Sequence, residues 1–183
     1  MRIKSIFKRP KSPISVEVDL YRHILKQSRS VDFYGPEAVN DSFEGRLDML
    51  TLHMTPFMRR LKDYGADGDL FKQAMFDAMV DDFDTALREE GFTDSGVKRR
   101  IKPFIALFYE RLKLYDIAID QNESGKGLQA IFESTEWCQG DDDFNFNLSQ
   151  YLIDLYNELS NYELAEIAVR AFDFPDLNNI NHA

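Results

Sequence analysis

Apolar residues recur along almost the whole chain at intervals of three and four positions, which is the spacing of one face of an α-helix. The first such stripe follows Ser12-Pro13, a pair typical of a helix N-cap with proline in the first turn. The pattern predicts a first helix over residues 13–29, with an inward face of Val16, Leu20, Ile24 and Leu25. The run Phe33-Tyr34-Gly35-Pro36 predicts a loop after this helix.

Three long helices are predicted in the middle of the chain. The second helix covers residues 42–63, and Pro56 inside it is expected to cause a kink, because proline removes one backbone donor. A turn over residues 64–68 precedes the third helix, over 69–90, for which Gly91 is the expected C-cap. The fourth helix covers 95–120. The inward faces of the second and third helices include four methionines at core spacing, Met54, Met58, Met75 and Met79.

Shorter helices are predicted in the last third of the chain. One covers residues 126–136, and a polar, acidic turn follows over 139–143. A leucine stripe from Leu148 to Leu159 predicts the next helix, and a last helix begins near Leu164 and is expected to stop before Pro175. The whole pattern predicts one all-α domain over 13–175, a single compact bundle of about seven helices. A flexible basic tail over 1–12 and a frayed C-terminus over 176–183 flank it.

Composition agrees with one folded domain and narrows its class. The 183 residues are 44% hydrophobic, enough to form a core, and no apolar run approaches the roughly 20 residues that span a bilayer. The net charge is −10, so the body of the protein is a poor general binder of nucleic acid. One cysteine, Cys138, excludes an internal disulfide and a cysteine-based metal cage, and it suits a reducing compartment. The adjacent Trp137 is expected in the core or as a partial surface anchor.

The basic start of the chain has a charge opposite to that of the body. Residues 1–13 contain five cations and no acid, namely Arg2, Lys4, Lys8, Arg9 and Lys11. Such a segment is either a solvated tail or a contact for ribosomal RNA or an anionic membrane. It has no apolar core of signal-peptide length, so export by that route is not expected.

Three aspartates, Asp77, Asp81 and Asp84, lie at i, i+4 and i+7 on the third helix and share one face. Carboxylates are ligands that magnesium prefers, so one hypothesis is a metal-dependent enzyme on an all-α scaffold. The spacing of Asp81-Asp82-Phe83-Asp84 differs from that of prenyl-diphosphate enzymes, and no second aspartate-rich helix stands out. The alternative is a solvated face with salt bridges.

Two groups of basic residues are candidates for a binding surface. Arg46, His53 and Arg60 repeat every seven residues on the second helix, which predicts a line beside its apolar stripe. This line is either the rim of a recognition groove or a set of partners for nearby acids. Lys98, Arg99, Arg100 and Lys102 lie near the start of the fourth helix, where the helix dipole disfavours cations, so a partner is one explanation and Asp94 nearby is another.

Three segments resemble the ubiquinol–cytochrome c chaperone family. The first is Gly45-Arg46-Leu47-Asp48-Met49-Leu50, followed by His53 and by Arg59-Arg60-Leu61. The second is Phe76-Asp77-Ala78-Met79, followed by Asp81, Asp84 and Leu87-Arg88-Glu89 before Gly91. The third comprises Asp94, Val97, Lys98, Arg99 and Lys102, and then Phe108-Tyr109, Arg111 and Tyr115. Their order and spacing are far more specific than any single motif.

The resemblance implies a non-enzymatic assembly factor for the respiratory cytochrome bc complex, with no cofactor. Mitochondrial members work with a small partner protein at the ribosomal exit tunnel and bind newly made cytochrome b. The short basic start indicates a bacterial relative, in the cytoplasm or peripheral at the inner membrane. The expected partner-binding residues are Arg46, Asp48, His53, Arg60, Lys98, Arg99, Lys102, Tyr109 and Arg111. A helical scaffold for another protein partner remains an alternative.

Overall fold

The computed structural model describes residues 15–120 and 125–177. Within them, seven α-helices and two short 3-10 turns follow one another, and the all-α prediction is confirmed. The helices are α1 (Val16–Gln27), α2 (Phe43–Arg60), α3 (Gly65–Glu89), α4 (Asp94–Asp120), α5 (Lys126–Glu133), α6 (Asp142–Leu159) and α7 (Leu164–Ala168). The 3-10 turns cover Val31–Phe33 and Leu61–Tyr64. The predicted basic tail over 1–12 lies outside the described residues, as does most of the predicted frayed C-terminus.

Helix α2 is the centre of the fold. It packs against α1, α4 and α6, and every residue from Leu47 to Met58 is buried, so no face of this stretch contacts solvent. Its polar side chains must therefore find partners inside the protein. The hydroxyls of Thr51 and Thr55 donate to the carbonyls of Leu47 and Thr51, one turn earlier, at 2.8 Å each. The helix continues through Pro56 to Arg60.

The turn between α2 and α3 is tighter than predicted, and α3 begins at Gly65 rather than at residue 69. Gly65 has a φ of 56°, a left-handed conformation that glycine adopts readily. Gly68 lies so close to α2 that an added Cβ would be 1.9 Å from the carbonyl oxygen of Leu61. The two glycines thus compress the connection into one 3-10 turn, which the sequence pattern cannot distinguish from a longer loop.

Two helix ends show what stops each helix. At the end of α3, Gly91 has a φ of 89°, and the amide of Phe92 donates to the carbonyl of Leu87 at 3.1 Å, so the predicted glycine termination is confirmed. The end of α7 was predicted wrongly. This helix ends at Ala168 because Arg170 adopts a left-handed φ of 61°. The amide of Ala171 then donates to the carbonyl of Glu166 at 2.9 Å. Pro175 lies beyond this turn and does not stop the helix.

A pair of extended segments fixes the loop after α5 against the loop before α2. The amide of Asn40 donates to the carbonyl of Trp137 at 2.9 Å, and the amide of Gln139 donates to the carbonyl of Ala38 at 2.9 Å. The side-chain amide of Asn40 also reaches the carbonyl of Glu136 at 3.0 Å. These bonds hold Trp137 in place beside α2 and α4.

None of the helices in the described part of the chain is long and apolar enough to cross a membrane.

Candidate functional site

The predicted row of Arg46, His53 and Arg60 is not an open groove, and its middle member is in the core. His53 has no exposed surface. Its Nδ1 lies 2.8 Å from the carbonyl of Met49, and its Nε2 lies 2.9 Å from the hydroxyl of Tyr151 on α6. Burial lowers the pKa of His53 to about 4, so the ring is neutral near pH 7. The ring of His53 therefore has no surface open to a partner in this structure, because the neighbouring helices enclose α2 at this position.

Arg60 stabilises the fold. Its Nε donates to the carbonyl of Leu159 at 3.1 Å, and its Nη2 donates to the carbonyl of Tyr162 at 2.9 Å. Carbonyls at the end of a helix lack partners within the helix, so a cation here stabilises the end of α6. The guanidinium also pairs with Asp63 and lies over the ring of Tyr64. Its side chain is only 15% exposed, which leaves little surface for another protein.

Arg46 is the one exposed member of the row. Its guanidinium forms two hydrogen bonds with Asp41, at 2.6 and 3.2 Å. Both side chains are more than half exposed, so this pair contributes little to stability. Arg46 is exposed, but His53 and Arg60 do not form an exposed row with it.

Asp48, Arg111 and Tyr115 meet between α2 and α4. Nε of Arg111 lies 3.0 Å from Oδ1 of Asp48, and the hydroxyl of Tyr115 donates to the same oxygen at 3.1 Å. Burial raises the pKa of Asp48 to about 6, while Arg111 and Tyr115 act in the opposite direction. Burial, followed by the charge of Asp48, raises the pKa of Tyr115 well above its ordinary value. The cluster thus joins α2 to α4 through an ion pair and a hydrogen bond.

A cavity of about 380 Å³ opens beside this cluster. Trp137 lines it and is 5% exposed, and its indole Nε1 has no hydrogen-bond partner among the described residues. We call it the Trp137 cavity; α2, α4 and the segment after α5 line it, with Glu44, Asp48, Leu107, Arg111, Leu114, Ser134, Thr135, Glu136 and Trp137. The sequence did not indicate this cavity, because nothing in the pattern places residues 134–137 against α2 and α4.

The basic stretch of α4 is exposed. Lys98, Arg99 and Lys102 are on the surface, and none of them belongs to an ion pair within residues 15–120 and 125–177. Arg100 differs, because its guanidinium lies 3.7 Å from the centre of the Phe92 ring. Asp94, the predicted compensating acid, pairs with Arg88 instead, at 2.6 Å. The structure therefore leaves three cations near the start of α4 without a direct partner in its described part.

Tyr109 lies at a groove lined by α3, α4, the end of α2 and the turn after it. Its side chain is half exposed, and its ring centre is 5.3 Å from that of Phe76 on α3. Two adjoining cavities of about 370 and 400 Å³ form the groove and share four lining residues, Met58, Lys62, Tyr109 and Leu112. We call this surface the α3–α4 groove. Its floor is apolar, and its rim carries the cations Lys62, Lys72 and Lys113.

Charge on the groove rim is only partly neutralised. Lys62 pairs with Asp116 at 2.7 Å, and Lys72 pairs with Asp69 at 2.7 Å. Lys113 is exposed, and no ion pair of the described residues includes it. At 3.6 residues per turn, Lys98, Lys102, Tyr109 and Lys113 fall within about 60° of one side of α4. Lys62 and Lys113 were not among the predicted site residues, although the helical spacing from Lys98 to Lys113 is a signal in the sequence.

The alternative metal site is contradicted in the described part of the chain. No group of three or more histidine, cysteine or acidic side chains there is arranged to hold a metal ion. Asp84 and Arg88 form a short ion pair, and Asp77 accepts a hydrogen bond from Gln73 at 2.8 Å. Burial and the neighbouring aspartates raise the pKa of Asp81. The row is thus a charged surface with local partners, the interpretation that the sequence left open beside the metal.

The fold and these surfaces define an all-α protein that presents open, partly apolar grooves with charged rims, a form suited to binding other polypeptides. The sequence model of the ubiquinol–cytochrome C chaperone family matches residues 38–174, and the chain belongs to that family. It is also similar to a solved structure described as the crystal structure of the Cbp3 homolog from Brucella abortus. The two are 26% identical with a TM-score of 0.73, over 91% of this chain and 92% of that one. A search of curated proteins found no match.

Proposed function

We propose that this protein is a non-enzymatic chaperone that binds newly made cytochrome b and promotes assembly of the ubiquinol–cytochrome c reductase complex. Membership of the chaperone family supports this role. The observation that carries it on this chain is the α3–α4 groove, in which Tyr109, Phe76 and Leu112 form an apolar floor beside exposed cations. A membrane subunit that has left the ribosome exposes long apolar segments, which need such a surface before they are inserted.

The groove also has side chains that can adapt to apolar segments of different shape. Met58 lines both of its cavities, and methionine adapts its shape to different apolar partners. The unpaired cations Lys98 and Lys102 extend the same exposed side of α4, and Arg99 lies beside that side. There they can contact acidic loops or anionic headgroups next to the client. Arg46 is a further exposed contact in this proposal. Arg111 and its ion-pair partner Asp48 lie at the opposite side of α4, outside this groove.

Site-specific photo-crosslinking tests the client and the groove together. A photoreactive amino acid at Tyr109 is expected to crosslink to cytochrome b in cells that synthesise it, because the side chain is half exposed at the groove. The same amino acid at Val31, which is 82% exposed outside the groove, is the matched control. Equal crosslinking from the two positions, or none to cytochrome b from Tyr109, would contradict the proposal.

Charge reversal tests the contribution of the basic stretch. The triple variant Lys98→Glu/Arg99→Glu/Lys102→Glu is expected to lower recovery of cytochrome b about tenfold or more, since each lost rim contact weakens binding. The control is Arg22→Glu/Lys26→Glu/Arg29→Glu, three exposed cations of α1 and the turn after it, with the same change in net charge. A similar loss in both variants would assign the effect to overall charge and not to this surface.

The basic tail is proposed to contact an anionic surface, ribosomal RNA or lipid, near the site of membrane insertion. What supports it is the charge of residues 1–13, which hold five cations and no acid. A cytoplasmic protein that works peripherally at the inner membrane, alone or with a small partner protein, would use such a segment. Deletion of residues 2–11 is expected to lower salt-sensitive binding to ribosomes or to anionic vesicles. Unchanged binding to both would contradict this part of the proposal.

A further inference from the structure

An open cavity of about 410 Å³ lies between the start of α1 and the middle of α3. We call it the α1–α3 cavity; its lining residues are Ser15, Val18, Leu70, Gln73, Ala74, Asp77, Ala78 and Asp81. Half of these side chains are apolar, and that of Leu70 is 71% exposed. Exposed apolar surface in an open cavity favours a polypeptide segment that covers it.

The charge at the α1–α3 cavity is negative. Asp77 and Asp81 line it, and no ion pair within residues 15–120 and 125–177 includes either carboxylate. Asp84, one turn further along α3, pairs with Arg88. Burial raises the pKa of Asp81, and the charges of three neighbouring aspartates act in the same direction. An occupant with positive charge would therefore lower the repulsion among these carboxylates.

The chain enters the described structure at this cavity. Ser15 is the N-cap of α1 and lines the cavity, so residues 1–14 are joined to the fold at its edge. An extended chain spans at most about 3.6 Å per residue, which places Lys11 within about 14 Å of Ser15 and Lys8 within about 25 Å. Residues 70–81 of α3 cover about 17 Å, at about 1.5 Å per residue. The cations before Ser15 can therefore reach the whole length of the cavity.

The basic tail, residues 1–12, has both kinds of side chain that match this lining. Its five cations, with no acid among them, complement the two carboxylates. Ile3, Ile6 and Phe7 supply apolar side chains for the apolar half of the lining. A segment on a short connection has an effective concentration on the order of millimolar at a site beside its attachment. A contact too weak to hold a separate peptide is therefore populated when both parts belong to one chain.

We propose that the basic tail docks on the α1–α3 cavity of its own chain. The cations of the tail lie against Asp77 and Asp81, and its apolar side chains cover Leu70. While the tail is docked, its cations are not available to ribosomal RNA or lipid, so docking competes with the anionic contact proposed above. The docking rests on the tail and the cavity alone and does not depend on the identity of the chaperone's client.

A nitroxide spin label on Ser5→Cys tests the contact in the full-length protein, because it broadens the NMR resonances of nearby amides. Cys138 is buried, and the parent protein treated with the same reagent measures any label at that position. The amides of residues 70–81 are expected to broaden at least about threefold more than those of α5, which packs on α4 and α6. Sodium chloride at about 1 M should reduce this difference, since salt screens exposed charges.

The two carboxylates are tested with a double variant and its control, both in the labelled protein. Asp77→Asn/Asp81→Asn is expected to reduce the broadening of residues 70–81 about threefold or more, because the tail loses its charge partners. Glu110→Gln/Glu133→Gln, two exposed acids on α4 and α5, makes the same change in net charge away from the cavity. This control should broaden as the labelled protein without it does, and circular dichroism checks that each variant is folded.

Three results would overturn the proposal. One is broadening of residues 70–81 that is no stronger than that of α5. Another is equal broadening in the two double variants, which would assign the effect to net charge. The third is strong broadening in a mixture of isotope-labelled protein without the nitroxide and nitroxide-labelled protein without the isotope. That result would place the tail of a second copy on the cavity and not the tail of the same chain.

Discussion

Oδ1 of Asp48, on α2, accepts the hydroxyl of Tyr115 at 3.1 Å and lies 3.0 Å from Nε of Arg111, both on α4. One buried oxygen thus joins the central helix to the helix that forms a wall of both candidate binding surfaces. A carboxylate in such a position is costly to bury and is tolerated because a cation compensates it. The contact therefore helps to hold α4 against α2, and both the α3–α4 groove and the Trp137 cavity depend on that packing.

The pKa of Asp48 predicts a pH dependence of stability. Its pKa is raised to about 6 in the folded protein, so between about pH 4 and pH 6 the folded state holds a proton that the unfolded state has lost. Stability from this group is present at low pH and decreases as the pH rises to about 6. Compared with Asp48→Asn, the parent should lose about 2–3 kcal/mol of unfolding free energy across that range. Urea denaturation at several pH values measures it, and parallel curves for the two proteins would contradict it.

His53 predicts a dependence of the opposite sign. Burial lowers its pKa to about 4, so the unfolded state binds a proton below about pH 6.5 that the folded state does not. Stability from this group is complete above pH 6.5 and decreases as the pH falls towards 4. In an NMR titration the ring protons of His53 should keep their neutral chemical shifts down to about pH 5. The half-buried His23 is the internal comparison, and titration of His53 near pH 6.5 would show that it is exposed.

Replacing Arg60 tests whether it stabilises the end of α6. Arg60→Met should lower the free energy of unfolding by about 1–3 kcal/mol, because the carbonyls of Leu159 and Tyr162 each lose a charged donor. The carbonyl of Leu159 keeps the amide of Tyr162, and that of Tyr162 keeps the hydroxyl of Tyr64. The control is Arg46→Met, which removes only the exposed pair with Asp41 and should cost less than about 0.5 kcal/mol. If Arg60→Met left stability intact but abolished client binding, Arg60 would be a contact residue after all.

Two glycines provide a matched test of the tight α2–α3 turn. Gly68→Ala should destabilise the protein by about 1–3 kcal/mol, because its Cβ would meet the carbonyl oxygen of Leu61 at 1.9 Å. Gly96→Ala, in α4, meets nothing closer than 3.5 Å and should stabilise by about 0.5–1 kcal/mol through its better helix propensity. Thermal denaturation of the two variants measures the difference, and equal effects would show that the turn relaxes freely.

The sequence by itself determined the all-α class, the long helices and most of their limits, since helical periodicity and capping residues are local signals. Gly91 is an example, because a glycine after an apolar stripe identifies a helix end without any long-range information. The end of α7 shows the limit of such signals. Arg170 adopts a left-handed conformation that its own residue type disfavours, and Pro175 was the stronger local candidate.

The spacing of the basic residues on α2 did not determine what each of them does. Arg46, His53 and Arg60 share a spacing of seven, yet one is exposed, one is in the core and one binds the end of another helix. That difference arises because α1, α4 and α6 enclose the middle of α2, which depends on how the helices pack together. Only the tertiary structure decided that Asp48, Arg111 and Trp137 meet at one cavity, and that Tyr109 lies at a different one. These residues are distant in the chain, so their contacts form only when the helices pack together.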